Sequence, residues 1–220
     1  KFFSTKSYIL VAKLPDFGNS FLKQEKSVVS IIISTFKNTL VLAVSSITIA
    51  IFLGMLMGVV SAINKDNIID KSVLFFSAIG MSLPSFFSAI LIAWLFGFVL
   101  HQYTNLPMTG SLFEIDDYGM GYHLNLKNLI LPSITLGIRP LSVIIQLSRN
   151  SLLDVLNMDY IRTAKAKGVK YSKVLFRHAL RNSLNPVVTA VSGWFASLLA
   201  GAVFVEYVFG WNGLGKEIVN

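Results

Sequence analysis

The charges of this chain are few and clumped, and the densest clump is residues 159–181. Asp159-Tyr-Ile-Arg-Thr-Ala-Lys-Ala-Lys-Gly168 reads as two helical turns, with Asp159 as N-cap and Gly168 where a left-handed C-terminal residue is wanted. Ser172 is placed to cap the next helix. There Lys173, Arg177 and Arg181 recur every fourth residue, while Val174, Leu175, Phe176 and Ala179 face elsewhere. Eight basic residues and two aspartates give residues 149–182 a net charge of +6. Such a stripe can grip anionic membrane lipid, worth about 1 kcal/mol per basic residue. Lipid contact does not account for the short capped helix with its small residues Thr163, Ala164 and Ala166. A helix with one small-residue face fits a groove on a soluble partner.

Other residues that could carry chemistry are scattered. Arg139, followed by Pro140, lies near the middle of an apolar segment, where a charge costs at least about 2.5 kcal/mol and usually faces a cavity or a partner. It either holds a substrate carboxylate through bidentate hydrogen bonds, pairs with a carbonyl freed by Pro140, or sits shallower than the span suggests. Gly210-Trp-Asn-Gly-Leu-Gly-Lys216 has the glycine and lysine spacing of a phosphate loop. Glu217 stands where the magnesium-binding Ser or Thr belongs, and no buried strand precedes the motif, so it reads as a turn. His101, His123 and His178 lack metal-ligand spacing. No Ser-His-Asp set or carboxylate pair lies within the apolar segments, so no catalytic residue and no metal site is expected. Glu206, at the end of an apolar segment, either caps packing or lines an external mouth. With no cysteine there is no disulfide framework.

These residues hang on segments apolar enough to cross a membrane. The 220 residues are 54% hydrophobic and 14% charged, against roughly 25% charged in soluble domains. Residues 38–64, 72–113 and 182–205 carry no charge, and 128–148 only Arg139. About 20 apolar residues cross the hydrocarbon core, so the expected architecture is an all-α polytopic transmembrane bundle with four spans. They run near 39–62, 72–100, from 129 past 149, and 184–205. Residues 28–36 suit a short interfacial helix ahead of the first span. Gly54-Met-Leu-Met-Gly58 suits close helix packing, as does a face repeating Gly193, Ser197 and Gly201. Pro84, between Ser82 and Ser85, removes a backbone hydrogen bond and should kink the second span, a shape compatible with a pathway wall.

The chain divides into an external segment 1–37, a membrane core 38–206 that includes the hairpin 149–182, and an external turn 207–220. Residues 102–127, with Glu114, Asp116 and Asp117, form a turn-rich external segment. Counting only basic residues near span ends gives ten on the hairpin side against five on the other, which places the hairpin in the cytoplasm. The chain opens on Lys1 without signal-peptide architecture and stops soon after a span, so a fragment of a longer membrane protein is expected. No basic surface interleaved with aromatics points to nucleic acid.

Here the sequence resembles the permease subunits of ABC importers, specifically the dipeptide/oligopeptide/nickel group. The stretch that carries the resemblance is Arg162-Thr-Ala-Lys-Ala-Lys-Gly168 through Arg177-His-Ala-Leu-Arg-Asn182, then Asn185-Pro-Val-Val-Thr189. The permease pattern is Glu-Ala-Ala, three residues, Gly, nine residues, Ile-x-Leu-Pro. Arg162 replaces its Glu, and His178 and Arg181 replace its Ile and Pro, departures typical of the peptide branch. Met81-Ser-Leu-Pro-Ser-Phe86, Leu131-Pro-Ser-Ile-Thr-Leu136, Arg149-Asn-Ser-Leu152 and Glu206-Tyr-Val-Phe with Gly213-Leu-Gly215 follow in order. The resemblance implies a coupling element made of Asp159, Tyr160, Arg162, Thr163, Ala164, Lys165, Ala166, Lys167, Gly168, Arg177, His178 and Arg181. It would dock on one of two cytoplasmic ABC ATPase subunits, which use ATP and Mg, while this chain binds no cofactor. A second homologous permease subunit and an external substrate-binding protein complete such a machine in a bacterial or archaeal plasma (inner) membrane. Six spans are usual, so the first and last are expected to be missing here. Ser82, Pro84 and Arg139 are the candidates for the translocation pathway.

Two other classes fit less well. A secondary transporter needs acidic residues inside its spans to bind a coupling ion, and none lies between the span ends. An intramembrane enzyme needs buried Asp or His pairs, which are absent from the spans as well.

Overall fold

A computed structural model describes residues 3–5, 8–10, 17–20, 23, 26–115 and 122–219. Parts of the segment expected to precede the first span, and the acidic turn with Asp116 and Asp117, lie outside them. Besides the helices, the described residues form two short antiparallel hairpins, β1 (Phe3–Thr5) with β2 (Tyr8–Leu10) and β3 (Phe113–Ile115) with β4 (Tyr122–Leu124).

The longest helix, α1 (Val28–Ile63), begins at Ser27, whose Oγ accepts the Ser30 N–H at 3.2 Å. Its 36 residues make about 54 Å of helix, well beyond the ~30 Å hydrocarbon core. The interfacial helix expected at 28–36 is therefore the first part of α1. Apolar residues run through both segments, and neither Gly nor Pro separates them. The buried face of α1 is Thr39, Leu42, Ala43, Ser46, Ile47, Ala50, Gly54, Gly58, Ser61 and Ala62, mostly small residues at helical spacing. Val44, Phe52, Leu53, Leu56 and Val60 are exposed. Large side chains face outward and small ones inward, the arrangement expected where lipid is as apolar as the core.

That face packs on α5 (Lys127–Leu156), the second helix long and apolar enough to cross alone. A Cβ on Gly58 would stand 2.6 Å from the Ser148 Cβ and 2.9 Å from the Ile145 carbonyl oxygen. We expect Gly58→Ala to cost about 1–3 kcal/mol by overpacking this crossing. The check is the thermal midpoint of the detergent-purified protein, with Leu56→Ala on the exposed face as a control that stays near wild type.

The second span is broken rather than kinked. Between α2 (Ile68–Ser82) and α3 (Ser85–Ile92), which continues as a π-helix over Ala93–Val99, the axis turns by 110°. Pro84 does more than delete one hydrogen bond. It drives Leu83 out of the helical region to ψ 132°, and Pro84 itself is extended at ψ 140°. Two extended residues in succession reorient the chain. A short α4 (His101–Thr104) leads to the β3–β4 hairpin.

After α5 come α6 (Asp159–Ala166), then α7 (Tyr171–Lys173), a π-stretch over Val174–Ala179, and α8 (Leu180–Ser183). Next, α9 (Asn185–Gly201) bends away from the preceding segment by 46°. Ala202 separates α9 from α10 (Val203–Phe209), so the span expected over 184–205 is also broken; α11 (Leu214–Val219) follows. Thus α1 and α5 can each span alone, and the count reaches four only if each bent pair is one span.

Candidate functional site

The hairpin is a short helix held to the bundle by an apolar pin. Ile161 is fully buried and clusters with Leu152 and Val155 of α5, Ala62 of α1, and Val174, Leu175 and Ala179. The helix ends in a Schellman motif. The Gly168 N–H donates to the Lys165 carbonyl at 3.0 Å and the Val169 N–H to the Ala164 carbonyl at 3.2 Å, with Gly168 at φ +74°. Its beginning differs from the sequence expectation. Met158 is the extended N-cap, and Asp159 is the first helical residue, where its charge meets the positive helix end. The Asp159 carboxylate instead lies 3.6 Å from Arg162, and both side chains are exposed. Ser172 does not cap its helix either. Lys170 occupies that position because the helix starts two residues earlier than expected, at Tyr171.

Among the residues named for coupling, Arg162, Thr163, Lys165, Ala166, Lys167, Gly168, Arg177 and Arg181 are exposed. Ala164 and His178 are half-buried, Ala164 against the cluster around Ile161. The expected small-residue face is therefore divided, with Thr163 and Ala166 outward and Ala164 turned to its own chain. Tyr160 is partly exposed, and its hydroxyl accepts a hydrogen bond from Asn182 Nδ2 at 2.9 Å, clasping α6 to α8. Nothing local in the sequence marks Asn182 as a contact, because its partner lies 22 residues away.

A second site lies along α5, where the Arg139 side chain is exposed rather than buried. Arg139 lines a cavity of about 270 Å³ with Thr135, Leu136 and Pro140 of α5, Ser85 of α3, and Trp194, Ser197 and Phe204 of α9 and α10. Ser82 and Pro84, the other two pathway candidates, do not line it. Both are exposed at the break, the Ser82 hydroxyl donating to the Ala78 carbonyl at 2.8 Å. Pro84 contributes indirectly by starting the helix that carries Ser85.

Two buried carboxylates organise the ends of the bundle. Asp70 receives Arg149 Nε and Nη2, each at 2.6 Å, and also the Ser61 hydroxyl and the Asp66 N–H. This ties α2, α5 and α1 together next to the hairpin. Nothing near Arg149 in the sequence marks its partner. The available signal was Asp70, an acid in the first turn of an apolar helix. At the other end of α1, Glu206 accepts from the Thr39 hydroxyl at 2.6 Å and the Lys216 N–H at 3.1 Å. Thr39 Oγ1 in turn accepts the Leu214 N–H at 2.8 Å. Buried Trp211 donates its indole N–H to the Asn38 carbonyl at 3.1 Å, and Asn38 donates to the Asn212 carbonyl at 2.7 Å. The loop that mimics a phosphate motif thus closes over the chain's own carboxylate. Gly213 and Gly215 leave no room for a Cβ beside it. Glu206 packs inside rather than lining a mouth, which decides between the two roles the sequence left open. Among the described residues no three His, Asp or Glu side chains are placed to share a metal ion.

Comparison with known proteins supplies the family. Residues 50–220 match the family described as the binding-protein-dependent transport system inner membrane component. The chain is 37% identical to the dipeptide transport system permease protein DppB of Haemophilus influenzae, over 93% of this chain and 65% of that protein. It is 35% identical to the oligopeptide transport system permease protein AppB of Bacillus subtilis, over 93% and 63%. Identity to the glutathione transport system permease protein GsiC of Salmonella choleraesuis is 36%, over 97% and 64%. The chain therefore spans a little under two thirds of the length of these relatives. A helical bundle with apolar spans, matched over most of its length, belongs to the family of inner-membrane permease components of binding-protein-dependent transport systems.

Proposed function

We propose that the chain is the membrane permease subunit of an ATP-driven importer of peptides or related small solutes. Two ABC ATPase subunits on the cytoplasmic side would use ATP and Mg. A second homologous permease subunit would complete the pathway, and an external binding protein would deliver solute. The hairpin 149–182 is then the coupling element, docking through Tyr160 to Gly168 with Arg177, His178 and Arg181 at its flank. The observation that carries this reading is the exposed cationic face of α6 on a helix otherwise locked by Ile161 and the Schellman turn. A helix held this firmly can transmit a push without unfolding. The relatives' names supply the solute class, peptides in two cases and glutathione in the third. Arg139 and its cavity, with Ser82 and Pro84 at the nearby break, form part of the proposed pathway.

The test replaces Thr163 and Ala166, both outward-facing, with Trp in the complete transporter. Ala164 is avoided because it packs on its own chain. ATP-driven dipeptide uptake should fall at least ~10-fold, as expected when about 1.4 kcal/mol or more of docking energy is lost. Subunit yield and thermal midpoint should stay near wild type. Uptake that persists with ATP depleted and ion gradients intact would indicate a secondary transporter and overturn the reading.

A further inference from the structure

Arg139 is the only charged residue of α5 between Lys127 and Arg149. It sits twelve residues into the helix, about 18 Å from its start at 1.5 Å per residue. At that depth a guanidinium costs about 2.5–3.5 kcal/mol unless a counter-group or water offsets it. Among the described residues Arg139 makes no hydrogen bond and no ion pair. The two nearby ways to satisfy it are therefore unused. No acidic residue lines its cavity, and it does not bond the carbonyl that Pro140 frees.

The rest of the cavity complements a small zwitterion. Pro140 has no N–H to give the Leu136 carbonyl, four residues earlier, and Leu136 is part of the lining. That leaves an acceptor without its helical donor, and Ser85 and Ser197 also line the cavity. Trp194 and Phe204 supply apolar surface. One cation, several acceptor oxygens and an apolar wall match the α-carboxylate, ammonium and side chain of a short peptide. A volume of about 270 Å³ holds such an end group rather than a long chain.

We propose that Arg139 binds the terminal carboxylate of a peptide as it passes through the membrane, making this cavity a carboxylate-reading station of the pathway. The inference rests on the permease reading above and adds a ligand group and a residue to it. The fork of Arg, presenting parallel donors to both carboxylate oxygens, is the reason for arginine at this position.

The experiment uses the complete transporter, reconstituted without its binding protein and with every tryptophan other than Trp194 and Trp211 replaced by Phe, so that Trp194 reports on the cavity. Trp211 is buried in the core and serves as a constant background. Dialanine and its C-terminal amide are titrated while fluorescence is followed. We expect the free acid to bind at least ~10-fold more tightly than the amide, the discrimination a charge-assisted pair supplies. In Arg139→Gln the two should bind alike, and Arg139→Lys should retain part of the preference. Equal responses to acid and amide in the Arg139 protein, or no response to either, would overturn the proposal. So would loss of the second permease subunit from Arg139→Gln on size-exclusion chromatography, which would make Arg139 an interface residue. ATP-dependent dialanine uptake by the unsubstituted transporter with its binding protein is measured separately. Its absence counts against the permease reading, whereas a lost acid preference with intact uptake counts only against the Arg139 assignment.

Discussion

Replacing Asp70 with Asn should destabilise the folded protein by about 3–5 kcal/mol, the cost of leaving a buried guanidinium without its counter-charge. Asp70 is almost wholly buried and Arg149 nearly so. The carboxylate is bonded at both oxygens, by Arg149 in bidentate fashion and by Ser61 and the Asp66 amide. Asparagine keeps the shape but offers one acceptor and an NH2 that opposes the guanidinium. The measurement is thermal unfolding of the purified protein in detergent. Combining Asp70→Asn with Arg149→Met should recover much of the loss, because a neutral pair no longer strands a charge. A pair that contributed only at the surface would behave like Asp159 and Arg162, whose removal should cost under about 0.5 kcal/mol. If Asp70→Asn unfolds at the wild-type temperature, the pair does not hold α2 to α5.

The second large effect is expected at Glu206. Glu206→Ala leaves the Thr39 hydroxyl only the Thr35 carbonyl at 3.4 Å and the part-buried Lys216 amide without its acceptor, at about 1–3 kcal/mol each. The space left by the carboxylate adds a cavity term, for a total near 3–4 kcal/mol. The readout need not be global. Trp211 is fully buried and is held by the same loop, so its emission should move to the red as the loop 210–216 lifts from α1. Gly213→Ala should give the same shift, since a methyl there has no place beside the carboxylate. An unchanged spectrum would mean that Trp211 seats the loop without help from Glu206.

The helical architecture was legible because a long run without charge has few outcomes in a chain of this composition. The C-terminal turn at Gly168 was legible too, since glycine after a short basic helix has a local cause. What the sequence concealed is long-range. Thr39 and Glu206 are separated by 167 residues and Asp70 and Arg149 by 79. No periodicity links positions so distant. At Pro84 the physics was local but underestimated, because proline restrains the residue before it as well as its own donor. The start of α6 shifted by one residue for a similar reason. An aspartate is nearly as comfortable in the first turn as at the cap, and Met158 took the extended position.

The sorting of α1 into a narrow slim side and a bulky side has a further consequence. Once the helix is in lipid, oil surrounds it on every azimuth, and nothing about its affinity for oil tells it which way to rotate. Steric fit against α5, together with the hydrogen bonds of Asn38, Thr39 and Ser61 to Asn212, Glu206 and Asp70, fixes that angle. A methyl added at Gly54 or Gly58 should then act as a turn of the dial, changing which residues meet the acyl chains while the depth of insertion stays the same. Spin labels placed around the helix would register that rotation as a change in the sequence of lipid-facing positions.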